Sequence, residues 1–147
     1  MKNDSPINYI LDTDIVTHHQ HGHVNIARRL ALIPIREVAI SVVSMHEQLK
    51  GRLAAIHRGK PSQQIRAFAL LQRTQQYYCA VPVVSFDAAC MEIFKTLSKQ
   101  KIRIGTQDLR IAATALAHSA VLVTNNRRHF DQVPELKIEN WLLGLSA

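Results

Sequence analysis

Apolar residues along the chain fall into short runs separated by longer amphipathic stretches, and the runs end on polar or acidic residues. Tyr9-Ile10-Leu11 leads into Asp12-Thr13-Asp14, the pattern of a short buried strand with an acidic downstream end. Val38-Ala39-Ile40-Ser41-Val42-Val43 is a β-branched run suited to a strand covered on both faces. Ser44-Met45-His46-Glu47 then matches the capping box of a following helix. Pro61-Ser62 interrupts the helical stretch that comes next, and its period resumes through Ile65, Phe68, Ala69, Leu71 and Gln72 to about Tyr78, giving two helices. Val81-Pro82-Val83-Val84-Ser85 predicts another strand, with Pro82 tolerated near its start, and Asp87 opens a helix through Met91, Phe94 and Leu97. Gly105-Thr106-Gln107-Asp108 is a turn before an Ala-rich helix from Leu109 to about His118. Val121-Leu122-Val123-Thr124 is a buried strand ending in Asn125-Asn126, and a last short strand is expected near Lys137-Ile138-Glu139.

Strands separated by helices of this length call for right-handed crossovers, so the expected class is α/β, with a mostly parallel central sheet of four or five strands flanked by helices. A chain of 147 residues is of the size that forms one core, and no repeat, linker or low-complexity tract divides it; one domain over 1–147 is expected. No apolar run approaches the ~18 residues that span a bilayer. Met1 to Pro6 lacks the apolar core of a secretion signal, so no membrane association and a cytoplasmic location are expected. Cys79 and Cys90 form neither a CxxC pair nor a disulfide framework, and a small apolar packing role is expected of both. The formal net charge of +7 favours a polyanionic partner.

In open α/β sheets the site lies beyond the carboxyl ends of the strands, which singles out four residues. Asp12 ends the first strand, Glu47 lies one turn into the helix after the second, Asp108 starts the Ala-rich helix and Asn126 follows the strand ending at Thr124. Each has an ordinary structural explanation as a cap, capping-box partner, first-turn acid or turn residue. Their conjunction carries more weight, because a basic chain has few acids and three of them fall at corresponding edges of one sheet. Carboxylate and amide oxygens converging there would repel one another without a cation, and oxygen-only ligation selects a hard ion such as Mg²⁺ or Mn²⁺. Such an ion acidifies water, orients a phosphodiester and stabilises charge on phosphate and leaving oxygen, so phosphodiester hydrolysis is the natural chemistry.

The same segments resemble the PIN-domain ribonucleases, specifically the VapC-type toxins of bacterial toxin–antitoxin pairs, over nearly the whole chain. Tyr9-Ile10-Leu11-Asp12-Thr13-Asp14 is similar to the family's opening hydrophobic-LDTN segment, and Ile40 to Glu47 to its second, in which a strand runs into a helix carrying a glutamate. Asp108-Leu109-Arg110-Ile111-Ala112-Ala113-Thr114-Ala115 resembles D-x-x-I-A-A-T-A, the most specific of the four segments. Leu122 to Phe130, followed by Val133-Pro134-Glu135-Leu136 and Ile138-Glu139-Asn140-Trp141, is similar to the C-terminal signature. The resemblance implies an α/β/α sandwich and a Mg²⁺-dependent endoribonuclease, with Mn²⁺ as an alternative ion. Its substrate would be structured RNA such as tRNA or rRNA, and a small cognate antitoxin would hold it inactive. It gives Asp12, Glu47 and Asp108 the catalytic metal-site roles. Many relatives carry aspartate where this chain has Asn126, so the fourth ligand is a neutral amide, or Asp131 or a water substitutes. Asp14 stands where Asn is common and either restores that charge or caps a helix. Thr124 and Asn126 are expected to position a ligand water or phosphate.

Arg110, Arg127 and Arg128 adjoin these residues in sequence and are the expected RNA-phosphate contacts, although each could instead pair with a carboxylate. Between Glu47 and Asp87 there is no acid, while Lys50, Arg52, Arg58, Lys60, Arg66 and Arg73 supply six bases for a positive face or a solvated hairpin. His18, His19, His21 and His23 read as a solvated helix end beside Gly22 rather than a zinc set, since no Cys or carboxylate completes one. Tyr77, Tyr78 and Trp141 are too scattered for a stacking platform and are expected to pack. Leu49, Leu53 and Ile56 either bury against the sheet or pair with a second copy, and a homodimer is the family's habit. No GxSxG, Walker-type loop or GxGxxG is present. Two rivals remain: a non-cleaving PIN-fold module that binds RNA or protein, prompted by Asn126, and a metal-dependent DNA nuclease.

Overall fold

The computed structural model describes residues 6–144, so the secretion-signal reading of the N-terminus lies, apart from Pro6, outside the described residues. In chain order the elements are β1 (Tyr9–Leu11), α1 (Thr13–Gln20), α2 (Val24–Ala31), β2 (Val38–Ser41), α3 (Val42–Arg58) and α4 (Pro61–Ala80). They continue as β3 (Val83–Val84), α5 (Ala88–Ser98), α6 (Thr106–Ala117), β4 (Val121–Val123), α7 (Arg127–Phe130) and β5 (Ile138–Glu139). The strands form one five-stranded sheet in the order β3-β2-β1-β4-β5, and every neighbouring pair is parallel. Parallel neighbours cannot be joined by tight turns, which is why a helical crossover stands between each pair of strands.

Side chains alternate across this sheet with period two. Ile10 and Leu122 point into a cluster with Leu109, Ile111, Phe130 and Val133, whereas Leu11, Ile40 and Val123 point into one with Ile15, Ile26, Tyr78 and Trp141. Burying each large apolar side chain contributes about 1.5–3 kcal/mol, so both faces of the sheet are anchored. The completely buried Ala112, Ala113 and Ala115 belong to the first cluster and keep the inner side of α6 slim. Trp141 is expected to pack and does: it is buried, and its indole N–H donates to Glu139 Oε1 at 3.0 Å. Arg29 lies over its ring at 5.2 Å and also pairs with Glu139.

The structure corrects three local expectations. The expected capping box at Ser44 and Glu47 is absent. Ser41, with extended backbone, caps α3 by accepting the Val43 N–H at 3.1 Å, and the helix takes up Val42 and Val43 despite their β-branched side chains. Strand β3 is only two residues long, because Pro82 contributes a carbonyl, which accepts the Ile40 N–H at 2.9 Å, but has no N–H of its own. Cys90 is buried as expected, but Cys79 is exposed, since α4 turns its neighbour Tyr78 inward and the next residue lies about 100° away. Among the described residues no helix is long and apolar enough to cross a membrane.

Candidate active site

Strand β1 lies between β2, which the chain enters next, and β4, which it reaches only after β3, so the crossovers diverge at the carboxyl end of β1. Asp12 occupies that point. It is 5 % exposed, and its extended backbone makes it the N-cap of α1. One carboxylate oxygen accepts the Thr13 N–H at 2.9 Å and the other accepts the Thr124 hydroxyl at 2.8 Å, which joins the ends of β1 and β4. The Thr124 hydroxyl in turn accepts the Asn126 N–H at 2.9 Å. From the β2 side, α3 supplies Ser44 and Glu47: Thr13 Oγ1 lies 2.9 Å from Ser44 Oγ and 3.2 Å from Glu47 Oε1. Asp108 comes from the first turn of α6, which begins at Thr106, three residues before the expected Leu109.

Electrostatics tie these acids together. Burial, reinforced by the charges of Asp14 and Asp108, pushes Asp12 up to about 7 against the opposing hydrogen bonds from Thr124 and Thr13. Glu47 is raised by burial and by Asp108, with Thr13 opposing. Asp108 is raised by burial and by Asp14, with His129 opposing. Four carboxyl groups therefore share one electrostatic neighbourhood, in which His46 opposes the shift of Glu47 and His129 that of Asp108. Asp12 is turned toward Thr124 and Glu47 toward Thr13, and among the described residues no three His, Cys, Asp or Glu side chains close around one point. The donor chemistry is nevertheless that of a hard divalent cation: oxygen only, anionic, and mutually repulsive until neutralised.

The other expected site residues separate into two groups. Asp14 is in the first turn of α1, where one oxygen accepts the Ile15 N–H at 2.7 Å and the other the Asn125 N–H at 3.1 Å, holding it within reach of the cluster. The Asn126 amide nitrogen lies 2.9 Å from His129 Nδ1. Asp131, by contrast, sits at the far end of α7, exposed and 3.7 Å from Arg127. Arg127 is occupied there and also donates to the Ile138 carbonyl at 3.1 Å. Arg110 is held over the Phe94 ring at 4.8 Å and donates to Gln107 at 2.8 Å, in a shallow groove shared with His46, Val42 and Val43. Arg128 is exposed.

Sequence reasoning passed over Thr13 and Gln48. Gln48 is buried, accepts the Tyr78 hydroxyl at 2.7 Å and donates to Thr17 and Gln20. The available signal was spacing: Thr13, Thr17 and Gln20 share one side of α1, and Ser44, Gln48 and Arg52 share one side of α3. His18 and His23 meet edge-on with ring centroids 5.6 Å apart, but among the described residues no three of the histidines gather around one point. His19 bonds to the Tyr77 hydroxyl at 2.8 Å, and burial lowers its pKa, while Gly22, at φ 79°, turns the chain between α1 and α2.

The PIN domain family model matches residues 9–136. Ribonuclease VapC1 of Haemophilus influenzae strain R2866 is 32% identical over 138 residues, covering 90% of this chain and 97% of that protein. Ribonuclease VapC2 of Rickettsia felis is 29% identical over 141 residues, with the same shares covered. The crystal structure of VapBC2 from Rickettsia felis bound to a DNA fragment from their promoter contains a chain that superposes with a TM-score of 0.70 at 27% identity, covering 90% of this chain and 98% of that one. With an all-parallel sheet whose first strand runs into a buried acid, and relatives matched along almost their whole length, the chain belongs to the PIN-domain family, among the VapC ribonucleases.

Proposed function

We propose that this chain is the toxin of a toxin–antitoxin pair and an endoribonuclease that depends on Mg²⁺ or Mn²⁺ held by Asp12, Glu47 and Asp108. The observation that carries the proposal is the group of buried and half-buried carboxyls whose pKa values rise through burial and one another's charge. A bound divalent cation would neutralise them, polarise the scissile phosphate and make water a better nucleophile.

The protein's own contribution is positional. Thr124 fixes one oxygen of Asp12 and Thr13 steadies Glu47, so both carboxylates present defined lone pairs. Asp14, tied to the Asn125 N–H, adds negative charge beside Asp12, and Asn126 and Thr124 form the rim where a water or phosphate oxygen is oriented. Asp131, exposed at the far end of α7 beside Arg127, has less support as a substitute ligand than Asp14. Arg110 and Arg128 remain RNA-contact candidates, whereas Arg127 already has protein partners.

An antitoxin partner is supported by the solved complexes of relatives, such as the VapBC2 assembly from Rickettsia felis. The deciding experiment is cleavage of total cellular RNA by antitoxin-free protein with Mg²⁺, with a chelator and as Asp108→Asn, each compared by end-mapping. Discrete cuts lost in both controls are expected. A folded chain that binds RNA without cutting it would favour the non-cleaving module, and cuts confined to DNA in a parallel assay would favour the DNA nuclease. Sedimentation of the same preparation checks the homodimer expected from the resemblance.

A further inference from the structure

A cavity of about 390 Å³ opens between the end of α1 and the paired helices α3 and α4, apart from the four acids. Arg52 of α3 reaches into its wall half-buried, and its Nε donates to Thr74 Oγ1 at 3.0 Å, which fixes the plane of the guanidinium. Thr74 is itself fixed by donating to the Leu70 carbonyl at 2.8 Å. Arg73 of α4 also lines the cavity, and among the described residues neither arginine forms an ion pair with a carboxylate. The sequence explains why: residues 15–36 and 48–86, which build every wall of the cavity, contain no Asp or Glu. A partly desolvated, oriented guanidinium without a counter-charge is a site for an oxyanion, since the fork geometry suits phosphate and burial strengthens the attraction. Leu70 and Tyr77 lie on the same side of α4 as Arg73 and Thr74, and the Tyr77 hydroxyl is tied to His19, so the lining is apolar as well as charged.

The cavity is also in line with the acid cluster. Thr13, Thr17 and Gln20 follow one side of α1 and meet Ser44 and Gln48 of α3 in turn, with Arg52 one turn further along. The rise of 1.5 Å per residue places Gln20 about 10 Å along α1 from Thr13. Ser44 and Gln48 are buried, so the acid cluster and the cavity stand at the two ends of one packed seam between α1 and α3.

We propose that this cavity is a phosphate subsite for the RNA strand flanking the cut, with Arg52 and Arg73 gripping a phosphodiester and Leu70 and Tyr77 lying against the adjoining sugar or base. The proposal rests on the ribonuclease reading and supplies what the acid cluster lacks, a positive anchor for a chain that the carboxylates alone would repel.

Binding of a short single-stranded RNA of mixed sequence is measured in chelator on the Asp108→Asn protein, across a salt series, with Arg52→Gln, Arg73→Gln and Arg52→Lys added in turn. Each Gln substitution is expected to weaken binding several-fold. It should also lower the slope of log affinity against log salt by about 0.7, the value for one phosphate contact on a single strand. Arg52→Lys keeps the slope and loses part of the affinity. Lys95→Gln on α5, a cation beside Glu92, serves as the control and changes neither quantity. The slope separates a phosphate contact from a merely structural role for the Thr74 bond, and the exposed Arg73 keeps the test decisive should Arg52→Gln not fold.

Unchanged affinity and slope in both Gln variants, while wild-type protein with Mg²⁺ still cuts RNA, overturns the subsite and leaves the ribonuclease standing. Unchanged RNA binding with lost co-purification of a co-expressed antitoxin assigns the cavity to a protein and also overturns it. A wild-type chain that neither cuts nor binds RNA overturns both readings.

Discussion

The acid cluster and the arginine cavity share two helices, α1 and α3, yet they are built in opposite ways. Asp12 is fixed by the backbone, as the residue on which a buried strand becomes a helix, and its partner Thr124 is the corresponding residue of β4. Moving either requires moving the sheet. Arg52 is fixed by a single side-chain bond to Thr74, from a helix packed outside the sheet. The first region holds negative charge where the fold is stiffest; the second holds positive charge where helices can shift. A metal site needs its ligands within a few tenths of an ångström, whereas a phosphate anchor tolerates looser placement.

If that contrast is right, the largest effect comes from the stiff region. Asp108→Asn should lower RNA cleavage by roughly 10²–10³-fold without lowering the thermal midpoint, because a charged group at the reacting centre is removed, repulsion among the acids is relieved and no packing is lost. Single-turnover cleavage beside a melting curve checks it; a loss below tenfold would remove Asp108 from the centre.

Next is the dependence of stability on pH in metal-free protein. Asp12 has a folded pKa of about 7 against an ordinary value near 3.8. Between those limits the native state keeps a proton that the unfolded chain has released. Stability should therefore fall as pH rises through that window, and the penalty is complete above pH of about 7. Asp12→Asn, neutral throughout, should flatten this slope and raise the midpoint at pH of about 7.5 by several degrees. Mg²⁺ should stabilise the wild type more than the variant. Melting curves from about pH 4 to 8 test this, and a flat wild-type profile would contradict the strain assigned to Asp12.

The same contrast explains what could be read from the sequence. A strand that ends in Asp12 or Thr124 announces itself through an apolar run broken by a polar residue, so the acids and the sheet were legible from period and spacing. The capping box at Ser44 misled because Ser41, three residues earlier, could cap equally well, and only the pairing of β2 with β1 decides where the strand stops. Gln48 and Thr13 escaped notice because a buried polar residue on a helix carries no mark of its partner until two helices are packed. Arg52 was visible only as one base in an acid-free stretch; its isolation from carboxylates depends on α1, α3 and α4 meeting.

Thr13 tests whether the stiffness itself matters. Thr13→Val keeps the shape and removes the hydroxyl shared by Ser44 and Glu47. Losing such a bond costs about 1 kcal/mol, so a midpoint lower by a few degrees and roughly tenfold slower cleavage are expected. Thr13→Ser should restore most of the activity. A variant as fast as wild type would show that Glu47 needs no support from α1.

The smallest effect concerns Asn126, at the edge where the stiff region meets solvent. Its side chain faces His129, the residue whose charge opposes the raised pKa of Asp108. Asn126→Asp adds a fifth carboxyl near the end of β4 and brings it against His129, so part of the new charge is taken up by the imidazole. Two consequences pull in opposite directions: a stronger attraction for a divalent cation, and a histidine less available to Asp108. Because the amide lies outside the buried Asp12 and Thr124 pair, the first should prevail weakly, lowering the Mg²⁺ concentration for half-maximal cleavage by a few-fold with little change in the maximal rate. A metal titration of cleavage, repeated in Asn126→Asp with His129→Gln, separates the two. An unchanged midpoint in both would place Asn126 outside the ligand set and leave Asp14, already hydrogen-bonded to the Asn125 N–H, as the fourth acid of the centre.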